Sequence, residues 1–210
     1  MAYVDMSVRE YSDITAAREA VPGGGSVSAV AGALGAALTT MFGGFTSGNP
    51  KYAEHEGRIK EAIAESEALR HQLLELADQD VEVYSEVTLA YKMPRATAED
   101  KAVRQRAIQE ALTHAAAVPM AIAKAAHRVL ALAAELVAIG NPNLASDIGV
   151  AALLAEAALR GAALNVEINS AAIKDPATVE GLRSYLADTL PEARSTCEDV
   201  ISGVMARIRD

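Results

Sequence analysis

Residues 20–50 read AVPGGGSVSAVAGALGAALTTMFGGFTSGNP, thirty-one positions without one charged side chain. A run of that length raises the question of a transmembrane helix. Its composition answers differently. Eight of the fourteen glycines lie in it: it opens with Pro22-Gly23-Gly24-Gly25-Ser26 and closes through Gly43-Gly44 and Gly48-Asn49-Pro50. Only about 27–45 is left as an apolar helix, and no basic cluster flanks it to set an orientation. The stretch therefore predicts a buried central helix of a bundle, with Gly and Ala allowing close helix approach.

Outward from that helix the punctuation is all helical. Asn-Gly and Asp-Gly hairpin turns are absent and β-branched residues are scattered among alanines. An amphipathic segment spans about 7–20 and stops at Pro22. Asn49-Pro50 offers an N-cap and a first-turn proline for a very long helix to about residue 91. Pro94 ends it, and Thr97 three residues ahead of Asp100 starts the next as a capping box. That helix runs to about residue 139, with Pro119 expected to kink it. Gly140-Asn141-Pro142-Asn143 is a firm break, with Gly140 suited to a left-handed cap. Ser146 or Asp147 is expected to cap a helix to about residue 173. Asp175-Pro176 starts a last helix that Pro191 is expected to bend. The fold class is all-α: an antiparallel up-and-down bundle of six or seven helices, with residues 1–210 in a single domain.

The bulk composition excludes several functions. With 19 Lys+Arg against 28 Asp+Glu, the net charge of −9 disfavours phosphate backbones, so no nucleic-acid partner is expected. Aromatics make up 4%, too few for a base-stacking platform. Cys197 stands alone, and Asp5, Arg9 and Glu10 interrupt the apolar run a signal peptide needs. A cytoplasmic protein without a membrane partner is expected. The four histidines have no metal-ligand spacing, so no metal site is expected.

Three places exceed what a plain bundle requires. Gly23, Gly24, Gly25 and Ser26 open a helix, where free N–H groups can grip an anion or a ring carbonyl, or simply form a permissive turn. On the long helix Asp80, Tyr84, Val87 and Tyr91 share one stripe, which makes Asp80 either a pocket acid or a solvated one. The third place is 140–147, polar between two apolar segments. There Asp147 is a cap by default, held ionised by the helix dipole. Asp147 and Asn165 share a helix face but lie about 27 Å apart along it, so they cannot touch one reacting atom within a subunit. Lys92, Arg95, Lys101, Arg104 and Arg106 cluster around Pro94, as a solvated face or a holder of a carboxylate tail.

In order and surroundings, these places resemble the cyclodeaminase/cyclohydrolase family of tetrahydrofolate enzymes. The resemblance covers about 12–169. It rests on Pro22-Gly23-Gly24-Gly25-Ser26 with the Gly-Ala-Leu-Gly-Ala-Ala-Leu run from Gly32; on Asp80-Val81-Glu82 and Tyr84; and on Met93-Pro94-Arg95 with Glu99-Asp100-Lys101. Further matches are Val118-Pro119, Gly140-Asn141, Ser146-Asp147, Asn165-Val166 and Ile168-Asn169. The family includes cyclohydrolases that convert 5,10-methenyltetrahydrofolate to 10-formyltetrahydrofolate, and cyclodeaminases that close 5-formiminotetrahydrofolate with loss of ammonia. The resemblance implies a helical homodimer with a folate substrate and no metal or nucleotide cofactor. Asn143 and the Asp80-Val81-Glu82 context favour the cyclohydrolase branch, with the cyclodeaminase as alternative. Where relatives carry several lysines between a Gly and a Tyr, Gly48-Asn49-Pro50-Lys51-Tyr52 keeps only Lys51.

The methenyl substrate is an amidinium cation, so a buried carboxylate beside it gains charge pairing and can take a proton from attacking water. Asp80 is expected as that base and Asp147 as an orienter. Gly23, Gly24, Gly25, Ser26, Tyr84, Asn141, Ser146 and Asn165 are expected to bind substrate, with Lys51 and Arg95 on its carboxylates. A rival reading is a helical scaffold whose glycines only pack helices. It expects Ser26, Asp80 and Asp147 to be scattered.

Overall fold

The computed structural model describes residues 2–209. They form six α-helices, α1 (Val8–Ala16), α2 (Gly24–Thr46), α3 (Glu56–Lys92), α4 (Ala98–Ile139), α5 (Ala145–Ser170) and α6 (Pro176–Arg209). Short 3-10 turns at Tyr3–Asp5, Pro50–His55 and Pro142–Leu144 complete the chain, and no strand occurs among the described residues. The all-α bundle expected from the punctuation is the fold.

Neighbouring helices are antiparallel. Down α2, Gly25, Gly32 and Gly43 meet Asp80, Leu73 and Ile63 of α3 in reverse order. On its other side Gly24, Gly32 and Gly35 meet Asn165, Ala158 and Ala151 of α5. Small residues bring these helices close: a Cβ on Gly35 would come 3.0 Å from the Ala151 carbonyl oxygen. Ala29, Ala33 and Ala36 face the same core as Ala151, Ala155, Ala158 and Ala162 of α5. Across α3 and α4, Arg128 bonds both Glu65 and Glu135, and Arg58 also reaches Glu135. These pairs are partly exposed, so each adds about 0–1 kcal/mol and the apolar core supplies most of the cohesion.

Beyond that body the α3–α4 hairpin carries a second small core of Ala90, Ile108, Ala111, Leu112, Ala116 and Ile173. Gln109 locks the α5–α6 turn onto it, donating to the Ala172 carbonyl at 3.1 Å and accepting from the Lys174 N–H at 2.7 Å.

The caps expected at Thr97 and Asp175 are present, and Ser7 supplies one that was not expected. Ser7 with Glu10 and Thr97 with Asp100 form complete capping boxes, and Asp175 accepts from the N–H groups of Ala177 and Thr178. Elsewhere the structure corrects the expectation. α1 ends at Ala16, where the Ala17 N–H closes on Ile14. Asn49 caps a 3-10 turn, because buried Tyr52 takes a non-helical conformation and α3 starts only at Glu56. Gly140 is not left-handed: its φ is −107° and ψ −173°. A Cβ there would overlap the Phe42 ring, so the glycine serves close approach. Neither Ser146 nor Asp147 caps α5. Leu144 holds the N-cap position without a side-chain bond, Asn141 caps the preceding 3-10 turn, and Asp147 sits in the first helical turn. α5 stops at Ser170, and α4 and α6 run through Pro119 and Pro191 as continuous helices.

α2 is long and apolar enough to cross a membrane, with a mean hydropathy of 1.4, and half of that window is buried in the bundle. The other half was not anticipated. Val27, Ala31, Leu34, Leu38, Met41 and Phe45 leave a partly or fully exposed seam at heptad spacing. α5 repeats the pattern with Val150, Leu154, Ala157, Gly161, Leu164 and Ile168.

Candidate active site

α2 begins at the glycines because Gly23 is extended, with φ −110° and ψ −164°, and hands over directly to Gly24 in the helix. The anion at this helix start is the protein's own. The Ser26 N–H donates to Asp80 Oδ2 at 3.0 Å, and a Cβ on Gly25 would overlap the Asp80 carboxylate. Glycine at 25 is thus what lets a carboxylate of α3 reach the first turn of α2.

Two influences compete on Asp80. Burial pushes its pKa above the ordinary carboxylate range, and the Ser26 N–H pulls it back by favouring the ion. Burial is the larger effect. The raised pKa makes this carboxylate a stronger proton acceptor than a surface acid.

Around it lies a cleft of about 310 Å³. Gly23 and Gly24 form its edge, Val83, Val87, Ala115 and Ile168 its apolar walls, and Tyr84, Asn165 and Asn169 its polar contacts. Asn165 donates to the Gly161 carbonyl of its own helix at 2.9 Å, and Asn169 reaches across to the Ala115 carbonyl of α4 at 2.6 Å, which fixes both amides. Tyr84 is 49% exposed at the mouth. Asp80 and Tyr84 are the ionisable side chains of this lining. Such a cleft accepts a neutral or cationic ring with one carboxylate beside it.

The structure brings Gly23, Gly24, Gly25, Ser26, Asp80, Tyr84 and Asn165 together from three helices. Lys51, Asn141, Ser146 and Asp147 are not with them. They lie at the other end of α2, where the Asn141 N–H donates to Thr46 Oγ1 at 3.2 Å and the Lys51 ammonium stands 5.6 Å from the Tyr52 ring. Asp147 begins the helix whose far end carries Asn165, so the separation of about 27 Å stands. Arg95 is exposed in the α3–α4 connection, outside the cleft. Tyr91 is also outside the cleft lining, with the Arg104 guanidinium 5.8 Å from its ring.

Sequence reasoning missed Tyr11, whose hydroxyl bonds Ser26 Oγ at 2.9 Å, because nothing in α1 marks it off from an amphipathic surface helix. It also missed the walls. Val83 and Ala115 look like any other apolar position until the helices are docked.

Most of the chain matches known proteins. Residues 7–188 match the family model described as formiminotransferase-cyclodeaminase. The chain is 39% identical to the methenyltetrahydrofolate cyclohydrolase of Methylorubrum extorquens, over 96% of this chain and 97% of that one. It is 34% identical to the formimidoyltransferase-cyclodeaminase of Rattus norvegicus, over 97% of this chain but only 38% of the longer protein. In structure it resembles the formiminotetrahydrofolate cyclodeaminase of Thermotoga maritima, with a TM-score of 0.78, 31% identity and coverage of 97% and 96% of the two chains.

Proposed function

The chain belongs to the formiminotransferase-cyclodeaminase family, and from that premise we propose that it is a methenyltetrahydrofolate cyclohydrolase. The reading is carried by Asp80, a single carboxylate held beside apolar walls in the cleft that the family's glycine-rich helix start creates. The near full-length likeness to a cyclohydrolase chooses the reaction. Asp80 pairs with the amidinium cation and accepts a proton as water adds to the methenyl carbon. The adduct collapses as the carbon–N5 bond breaks, N5 takes the proton back from Asp80, and the formyl group stays on N10. The proton of the adduct's hydroxyl goes to solvent. Asn165 and Tyr84 orient the ring, and the first turn of α2 fixes the base. No cofactor is required.

Stopped-flow loss of the methenyl absorbance on mixing with purified protein tests this directly, with 5-formiminotetrahydrofolate in parallel. Rapid loss above the uncatalysed rate is expected. Ammonia release from the formimino substrate without methenyl hydrolysis would assign the cyclodeaminase reaction instead, which the likeness to the rat and Thermotoga proteins favours.

The same reading includes a soluble cytoplasmic homodimer. Support comes from the two apolar seams, which lie side by side on α2 and α5, each able to pair antiparallel with the same seam of a second copy. In that pairing the Lys51, Asn141 and Asp147 end of a second copy approaches the Asp80 end of the first. Asp147 then acts as an orienter across the interface, with Ser146 and Asn141 beside it, and Lys51 and Arg95 hold the substrate carboxylates. Mixing inactive Asp80→Asn and Asp147→Asn chains should restore about a quarter of wild-type turnover through hybrid dimers with one intact site. No recovery would overturn the shared site and remove Asp147 from it.

A further inference from the structure

Next to Asp80, outside the cleft lining, runs the N-terminal segment. α1 has no buried residue of its own, so few contacts hold it. The Tyr3 N–H donates to Asp78 Oδ1 on α3 at 2.7 Å, and Val4 packs against the core. Among the described residues one side chain of α1, Tyr11, hydrogen bonds to another helix, pairing with Ser26 Oγ at 2.9 Å. Ser26 is fully buried, and its backbone N–H is the donor to Asp80. Tyr11, Ser26 and Asp80 are therefore a continuous chain from α1 through the start of α2 to α3.

We propose that Tyr11 is a positioning residue for Asp80: its ring seals the rear of the α2 start against water, and its hydroxyl holds Ser26 where the N–H meets the carboxylate. This rests on the reading of Asp80 as the base. The electrostatic surroundings are simple. α2 contributes the N–H groups of its first turn, α3 contributes Asp78 and Tyr84, and the cleft residues of α4 and α5 carry no charge. Burial, with the nearby Asp80 and Asp78 charges, keeps the Tyr11 phenol protonated above its usual range. It acts as a neutral wall and hydrogen-bond partner, not as a second base.

The test compares Tyr11→Ala, Tyr11→Phe and Asp80→Asn in the methenyl hydrolysis assay across pH. Tyr11→Ala should lower kcat about tenfold with KM changed less than about twofold. Its acid limb of kcat/KM should move to lower pH, because water reaching Asp80 relieves the burial that raises its pKa. Tyr11→Phe keeps the ring and should stay within about threefold of wild type with the limb in place. Circular dichroism confirms that each variant is folded. If Tyr11→Ala matches wild type in kcat and limb position while Asp80→Asn is inactive, the proposal is overturned and the base reading survives. If Asp80→Asn retains turnover, the base reading fails and the role of Tyr11 fails with it.

Discussion

The two ends of α2 are built from the same materials and put them to different uses. At its start, glycines, a buried serine and an acid from α3 leave an open cleft beside the acid. At its finish, Gly43 packs on Ile63, Gly140 packs on Phe42, and Thr46 takes the Asn141 N–H, so the space is filled. Both ends place a glycine where a Cβ would strike a neighbour. At Gly25 that neighbour is a carboxylate, and at Gly140 an aromatic ring. What a glycine does here is set by the group it admits, not by its own conformation.

Substitution at each end should separate these uses. Gly25→Ala forces the Asp80 carboxylate off the helix start and should lower turnover by about a hundredfold or more, as loss of general-base positioning does. Steady-state kinetics checks this, and near-normal activity would mean that Asp80 does its work away from Ser26. Gly140→Ala must displace a ring that is 1% exposed and should cost about 1–3 kcal/mol of stability. Its pH profile of turnover should stay where it was, and a shifted profile would show that the filled end also controls the acid. The smallest effect concerns the cost of Asp80 itself. Because burial raises its pKa on folding, the native state binds its proton more tightly than the unfolded chain does. Stability from this group is complete below the ordinary value of 3.8 and is lost as pH rises through the raised one. At pH 7 the ion is a burden, so Asp80→Asn should raise Tm by a few degrees. The gain should vanish by about pH 2.5, more than a unit below the ordinary value, where both states are protonated. Thermal unfolding at the two pH values decides it.

The same contrast marks what the sequence made legible. Gly23 to Ser26 and Gly140 to Asn143 both broke the helical pattern, so both breaks and the helices between them were readable. Function divided less cleanly. Asp80 was singled out from its apolar and aromatic stripe, but its partner at Ser26 lies 54 residues away and emerged only on docking. Asp147 carried the signature of a cap, yet the 3-10 turn at Pro142–Leu144 shifted the helix start and left the cap position to Leu144. Tyr11 had no signature, since its role depends on a helix that periodicity assigned to the surface. Local punctuation is written in neighbouring residues, whereas a site is written in distances between segments that meet only in the fold.

The charge-free seam of α2 has a consequence during synthesis. Once Thr46 has left the ribosome, the end of α5 follows only after roughly 120 more residues, about 6 to 25 s at ordinary translation rates. α3 emerges sooner, but through that interval the nascent chain presents a segment of membrane-spanning length before its partner on the other side exists. Glycine is among the poorest helix formers, so the residues that later let helices close also delay the lone segment from coiling into something a translocation channel would accept.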